Sequence, residues 1–320
     1  MQVYHFHNGG GGGVLSVIKN LMRYSNNSLI ENHIIHAVDK SQFPLYKIEP
    51  IEGALTQQVY FYVPKNNFYY TSKELSKLLP NEEAIIIAHD WIELGMVSNL
   101  GLQNPVVYYL HGDYDYYYEL ALKNKSSIDL FVSVSQNIQL ILQMKIPERV
   151  KEILYLRFPV PESFVSTQKY HKEKNIVFIG RLTQEKGYYL LPEIANKLNE
   201  INVQFQWHII GSNAKSLDSQ NIWDKKINVS FYGEIENNQV ATLLSKMDFY
   251  ILPSLAEGMP VSLIEAMKAG VVPFVNDIAG GINELVENDF TGFKIINGTT
   301  PAFMASIKLT GIPSAKEGKI

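Results

Sequence analysis

The sequence predicts an α/β protein made of two halves, each a parallel sheet covered by helices on both faces. Three observations lead there. Short, continuous apolar runs alternate with segments of helical spacing, the pattern of strands buried on both faces. A stretch without periodicity and with two prolines, Arg157-Phe158-Pro159-Val160-Pro161-Glu162-Ser163-Phe164, interrupts that pattern, which then restarts at Asn175. Several strands also end in polar residues, at the edge where open α/β sheets bind ligands. A chain of 320 residues is long enough for two ordinary domains, 1–158 and 159–320.

Composition narrows the function. Apolar residues make up 46% and charged residues 19%, with a net charge of −4, which describes a globular chain with no basic tail for nucleic acid. With no cysteine there is neither a disulfide framework nor a thiolate metal site. The N-terminus lacks the basic and apolar regions of a signal peptide, and no apolar run reaches the roughly 18 residues of a membrane span. The expected location is therefore the cytoplasm. Nineteen tyrosines suit a surface that binds sugars or other amphipathic groups.

In the first half, Val3–His7 reads as a strand, Gly9 to Gly13 as a loop and Val14–Met22 as a helix. Such a loop lets backbone approach a phosphate closely, or is simply a flexible turn. It does not fit the dinucleotide fingerprint, because no acidic residue clearly closes a second strand about twenty residues on. Strands follow at Ile34–Val38, Ala84–Ala88, Val106–Leu110 and Leu130–Ser135, then a helix from Gln136 to Met144. The third and fourth of these five strands end in His89-Asp90-Trp91 and His111-Gly112-Asp113.

In the second half, Asn175–Ile179 is a strand running into Gly180-Arg181-Leu182-Thr183-Gln184-Glu185-Lys186-Gly187, with a helix from Tyr188 to Asn199. Strands follow at Phe205–Ile210, Val229–Tyr232, Tyr250–Leu252 and Val271–Val275. Arg181 and Lys186 in one strand-to-helix loop suit a diphosphate, at about 1.5–3 kcal/mol per charge-assisted contact, or form ordinary surface charge beside Glu185.

The stretch Pro253-Ser254-Leu255-Ala256-Glu257-Gly258-Met259-Pro260-Val261-Ser262-Leu263-Ile264-Glu265 places two carboxylates around a helix start, with seven residues between them. Pro260 suits the first helical position and Gly270 the C-terminal cap. Amides from Gly258 onward are expected to point between Glu257 and Glu265, a geometry for a polyhydroxylated or phosphorylated ligand. Taken alone, each Glu is equally at home as a charge near the helix dipole or on a solvated face.

In sequence order these segments resemble the retaining glycosyltransferases of family 4, the glycosyl transferases group 1 domain. The segments that match are Ile179-Gly180-Arg181-Leu182 with Glu185-Lys186-Gly187, Gly233-Glu234-Ile235, Leu252-Pro253-Ser254 with Glu257-Gly258-Met259-Pro260 and Glu265-Ala266-Met267, and Gly280-Gly281-Ile282 with Thr291-Gly292-Phe293. The resemblance is close from about Asn175 to Ile296 and loose before that. It implies a GT-B fold, two Rossmann-like domains facing across a cleft, with a nucleotide-diphosphate-sugar donor, UDP- or GDP-linked, held mainly by the second domain.

By position, the resemblance assigns Glu257 to the donor sugar and Glu265 to the ribose. Arg181 and Lys186 fall to the diphosphate and leaving group. Gly258, Met259, Pro260 and Val261 supply backbone around sugar and phosphate, and Gly233 and Glu234 lie by the nucleobase. In the first domain, Gly11, Gly12 and Gly13 correspond to a loop near the phosphates and His111 to a residue beside the sugar. Asp90, Asp113 and Tyr114 are candidates for the acceptor, a glycan or lipid-linked alcohol, with peripheral contact at the inner membrane face. The implied activity is sugar transfer with retention, in surface polysaccharide or glycoconjugate synthesis, without metal or cofactor.

Asp113-Tyr114-Asp115 has the D-x-D form by which other glycosyltransferases hold a cation, yet Arg181 and Lys186 already serve the diphosphate. Two features depart from the family: Asn276 stands where Thr or Ser is commoner, and the tail after Phe303 is short for its C-terminal helices. A non-catalytic relative that binds a nucleotide sugar or a partner glycosyltransferase is the alternative, as is a GT-B sugar-nucleotide epimerase.

Overall fold

The computed structural model describes residues 1–10, 12–25, 29–43, 46–80, 83–161, 174–200, 205–212 and 214–295. Gly11, the last three residues of the expected linker and the tail after Phe303 lie outside these described residues. The chain divides into two compact units, Met1–Pro159 and Val160–Ile320.

The strands of the first unit are β1 (Gln2–His7), β2 (Glu31–Asp39), β3 (Ala54–Tyr62), β4 (Ile85–Ala88), β5 (Val106–Leu110), β6 (Leu130–Ser133) and β7 (Ile153–Tyr155). Its helices are α1 (Gly13–Ser25), α2 (Phe68–Ser76), α3 (Trp91–Leu100), α4 (Asp115–Lys123) and α5 (Gln136–Lys145). The strands form one parallel sheet in the order β3-β2-β1-β4-β5-β6-β7. Ile18 and Met22 of α1 close over Ile34 and Ile51, burying apolar surface from four segments in one cluster. Gly95 lets α2 and α3 meet closely, because a Cβ there would stand 2.6 Å from the Phe68 ring.

In the second unit the strands are β8 (Lys174–Ile179), β9 (Phe205–Ile210), β10 (Val229–Gly233), β11 (Phe249–Leu252), β12 (Val272–Asn276) and β13 (Phe293–Ile295). The helices are α6 (Leu191–Glu200), α7 (Leu217–Asn221), α8 (Asn237–Leu244), α9 (Val261–Lys268) and α10 (Gly281–Leu285). The sheet is again parallel, in the order β10-β9-β8-β11-β12-β13. Its two faces carry separate apolar clusters, one holding Phe178, Trp207 and Phe274, the other Tyr250, Leu263 and Val275. That is the two-sided burial which the continuous apolar runs demand.

Strand order reverses once in each sheet, between β1 and β4 and between β8 and β11. At such a reversal the connections leave toward opposite faces, and the strand ends open a crevice. The glycine loop and His89-Asp90 flank the first reversal, and the Arg181–Lys186 loop and Glu257 flank the second. Two local expectations shift slightly. Pro260 is the cap residue, one place before the first helical residue Val261, and Tyr188–Leu190 is a 3₁₀ turn ahead of α6. Gly270 takes the left-handed conformation, φ +69°, just past the end of α9.

Candidate functional site

In the second unit the loops at the carboxyl ends of β8, β9, β11 and β12 are fastened to one another through glycines. A Cβ on Gly187 would lie 2.1 Å from the Pro253 carbonyl oxygen, one on Gly211 would lie 1.9 Å from that of Gly180, and one on Gly281 would lie 2.4 Å from that of Gly258. Hydrogen bonds complete the fastening: Leu255 N donates to Glu185 O at 2.8 Å and Gly281 N to Gly258 O at 2.6 Å. Asn276 Nδ2 donates to Ser254 O at 2.8 Å. The close approach expected of Gly280-Gly281 is thus made to the chain's own 257–259 loop. Asn276, the departure from the family pattern, serves this same layer.

Lys186 and Glu257, 71 residues apart, meet here. Lys186 Nζ donates to both carboxylate oxygens, at 2.7 and 2.8 Å. The Lys186 side chain is 17% exposed and that of Glu257 only 6%. Arg181 behaves differently: its guanidinium is 58% exposed and only 3.8 Å from Glu185, a contact weakened by solvent. One cation is therefore held rigidly by a buried carboxylate while the other is free to reach a ligand.

Glu265 lies on α9, half-buried, and desolvation pushes its carboxyl up to about 7. Glu257 and Glu265 both act on the Tyr250 hydroxyl, which burial already holds in its neutral form. That hydroxyl bonds Ser262 Oγ at 2.8 Å, and Ser262 Oγ donates to Ile179 O at 3.3 Å, tying the first turn of α9 to the end of β8. Pro260 supplies no side-chain cap, and Gly258, Met259, Pro260 and Val261 are buried around the helix start. Gly233 closes β10 with φ +76°, its carbonyl accepting from Gly211 N at 2.9 Å, and Glu234 beside it is exposed.

In the first unit the glycine loop is clamped at its base. His7 Nε2 donates to Gly10 O at 2.6 Å, so its Nδ1 is an acceptor, 3.3 Å from Gly9 N. Asn8 Oδ1 accepts from Gly10 N at 3.0 Å, and Asn8 Nδ2 donates to Asp90 across the strand reversal at 2.6 Å. Gly12 has φ +109°, and Gly13 opens α1. His111, just past β5, bonds His89 rather than standing alone.

The acidic candidates on the acceptor side have structural partners. Asp90 caps α3, accepting from Trp91 N at 2.8 Å and from the Tyr116 hydroxyl, while buried Glu93 returns the capping box through His89 N and Asp90 N. Asp113 accepts from the Tyr118 hydroxyl and from Asn137 Nδ2, both at 2.6 Å, which binds α4 and α5 to the end of β5. Tyr114 is the cap residue of α4, its ring against that of Tyr117. Among the described residues, no group of three or more His, Asp or Glu side chains is arranged to hold a metal ion, and no helix is long and apolar enough to cross a membrane.

Comparison with known proteins bears on this arrangement. The family model of glycosyl transferases group 1 matches residues 159–310. Residues 159–310 belong to that family. The chain is 30% identical over 137 residues to the putative colanic acid biosynthesis glycosyltransferase WcaL of Escherichia coli, covering 38% of this chain and 32% of that one. It is 30% identical over 146 residues to the UDP-Gal:alpha-D-GlcNAc-diphosphoundecaprenol alpha-1,3-galactosyltransferase of the same species, covering 43% and 38%. The matched stretch spans about a third of the length of these curated relatives. Among solved structures, the catalytic domain of starch synthase IV from Arabidopsis thaliana, bound to ADP and acarbose, superposes with a TM-score of 0.71 at 13% identity, over 98% of this chain and 92% of that one. That likeness extends the GT-B α/β fold over both units.

Within the group 1 domain, the structure brings Lys186 to Glu257 and fastens the Arg181 loop to the Glu257 loop. Sequence reasoning missed that pairing, as it missed the roles of Ser262, Tyr250 and Asn276 in holding the loops. In the first unit it missed Asn8, His5, His7 and His89. Their signal was present, since His5 and His7 stand two apart on one strand and thus share a face, while His89 and His111 end two further strands.

Proposed function

We propose that this chain transfers a sugar from a nucleotide-diphosphate-sugar donor to an acceptor hydroxyl, with retention, in the building of a polysaccharide or glycoconjugate. The observation that carries this reading is the meeting of Lys186, Glu257 and the Arg181 loop at the strand reversal of a group 1 domain, beside a helix start without a side-chain cap. Relatives named for colanic acid synthesis and for transfer of galactose from UDP support it.

In this reading the leaving diphosphate gathers charge as the glycosidic bond breaks with oxocarbenium character. Arg181 and Lys186 stabilise that charge more in the transition state than in the ground state. The first amides of α9 face the same anion. Glu257, fixed by Lys186, orients the sugar, and Glu265 accepts from the ribose hydroxyls. The acceptor hydroxyl attacks from the face the diphosphate leaves, without an enzymic nucleophile. Neither metal nor cofactor has a part. A lipid-linked acceptor, with peripheral binding at the membrane face, fits the relative whose acceptor carries diphosphoundecaprenol.

Titration calorimetry with UDP-galactose, UDP-glucose and GDP-mannose tests the site. Arg181→Ala and Glu265→Ala are each expected to weaken the donor that binds by several-fold or more. Unchanged affinity in both variants would remove the assignment. Transfer or slow donor hydrolysis by the purified protein separates an enzyme from a binding relative, and an isomerised sugar product would reveal an epimerase.

A further inference from the structure

Five imidazoles line one face of the first sheet near its carboxyl edge. The register pairs His7 with His36, His5 with Ile87, and Ile87 with Val107. Side chains two apart share a face, so His36, His7, His5, His89, Tyr109 and His111 all project to the same side of β2, β1, β4 and β5. Three of these rings form a continuous chain. His5 Nδ1 lies 3.1 Å from His89 Nε2, and His89 Nδ1 lies 2.8 Å from His111 Nε2.

Burial lowers the pKa of all three, to about 3 for His5 and His111, so each is neutral at physiological pH. A neutral imidazole has one N–H and one lone pair. His89 therefore donates to one neighbour and accepts from the other, and both bonds must run the same way along the chain. If His89 carries its proton on Nε2, it donates to His5 and accepts from His111 Nε2–H, which leaves His111 Nδ1 as a lone pair. If the proton is on Nδ1, every bond reverses, and His111 Nδ1 carries the hydrogen. The first arrangement places all three protons on Nε2, the tautomer that a free neutral histidine side chain prefers.

We propose that His5 and His89 are positioning residues for His111: they hold it neutral with Nδ1 unprotonated, so that it meets a hydroxyl of the donor sugar as a hydrogen-bond acceptor. The sugar as ligand rests on the function proposed above, whereas the protonation pattern stands on the geometry of the three rings. The other titratable groups about the chain are His7 on β1, Tyr109 on β5, Tyr117 on α4, and Asp90 and Glu93 at the start of α3, with Lys19 of α1 acting on His7. Glu93 changes charge near pH 8, so measurements between pH 5.5 and 7 isolate the imidazoles.

Long-range ¹⁵N–¹H spectra of the full chain labelled at histidine read each tautomer directly. The expected result is a single neutral form of His111, with a pyridine-like shift at Nδ1 that does not move across that pH range. His89→Phe, which cuts both bonds, should give His111 mixed tautomers or a titration within the range. It should also weaken binding of whichever of UDP-galactose, UDP-glucose and GDP-mannose binds by about five-fold, leaving UDP and GDP unaffected. His89→Asn, whose amide oxygen can take the place of Nδ1, should restore both the spectrum and the affinity. His5→Phe keeps the His89–His111 bond but frees its direction, so it should mix the tautomers too, and it serves if the His89 variants fail to fold. A wild-type spectrum with protonated Nδ1 or mixed tautomers, or variants that leave His111 unchanged, overturns the positioning role. A wild type with the expected spectrum that binds none of the three nucleotide sugars overturns the sugar ligand and the donor reading with it.

Discussion

Replacing Lys186 with Met removes the only charge partner shown for Glu257 and leaves a carboxylate that is 6% exposed. Both oxygens lose a donor, at 2.7 and 2.8 Å. Breaking a buried pair from one side costs about 3–5 kcal/mol, and the partial exposure of Lys186 puts this case near 3 kcal/mol. Glu257→Gln is milder, about 1–2 kcal/mol, because the stranded ammonium can turn toward water through the 17% of its side chain already exposed. With both charges gone, no buried ion is left unpaired, and the double variant should lose only about 2 kcal/mol. The double-mutant cycle then gives a coupling of about 2–3 kcal/mol. Urea unfolding checks this, followed by the fluorescence of Trp207 and Trp223, which both pack in the second unit, in a Trp91→Phe background. Losses that add to within about 0.5 kcal/mol would show that the two groups do not depend on each other, and would refute a preorganised pair.

Two further outcomes follow from the same loops. The Glu265 carboxyl, raised to about 7, binds a proton more tightly folded than unfolded, so its contribution favours the folded state most below the unfolded value near 4.5 and is lost as pH rises through 7. The loss amounts to about 3 kcal/mol at most; Glu265→Gln should flatten that part of the stability profile, and an unchanged slope would contradict the burial. Gly281→Ala drives a Cβ to 2.4 Å from Gly258 O and should cost about 3 kcal/mol and most of the donor binding, whereas Gly101→Ala, in open space at φ +59°, should cost about 1 kcal/mol and no binding. Equal effects in thermal melts and calorimetry would argue against the glycine fastening.

Much of the fold was readable because strands buried on both faces carry continuous apolar runs, as in Phe249–Leu252, all four of whose residues are buried. Where that signal breaks, the reading failed. β3 holds Thr56-Gln57-Gln58 at the sheet edge and looks like loop, and α2 opens on Phe68-Tyr69-Tyr70, with two of those rings exposed. The residue types of the donor site, Arg181, Lys186, Glu257 and Glu265, were legible through their order and spacing. Asp90 and Asp113 also looked like free acids at strand ends, yet they hold helices in place.

The chain's own sequence determined its alternation of strand and helix, the turn at each glycine and the chemical types at each strand end, because these depend on neighbours a few residues away. Only the tertiary structure decided which charges meet. Sheet order sets Lys186 against Glu257 across 71 residues, stacks the 180–187, 253–260 and 277–281 loops on one another, and aligns His5, His89 and His111 across three strands. Electrostatic and hydrogen-bonding interactions fall off over a few ångströms of space, whatever the separation along the chain, so they exist only once the strands have taken their places.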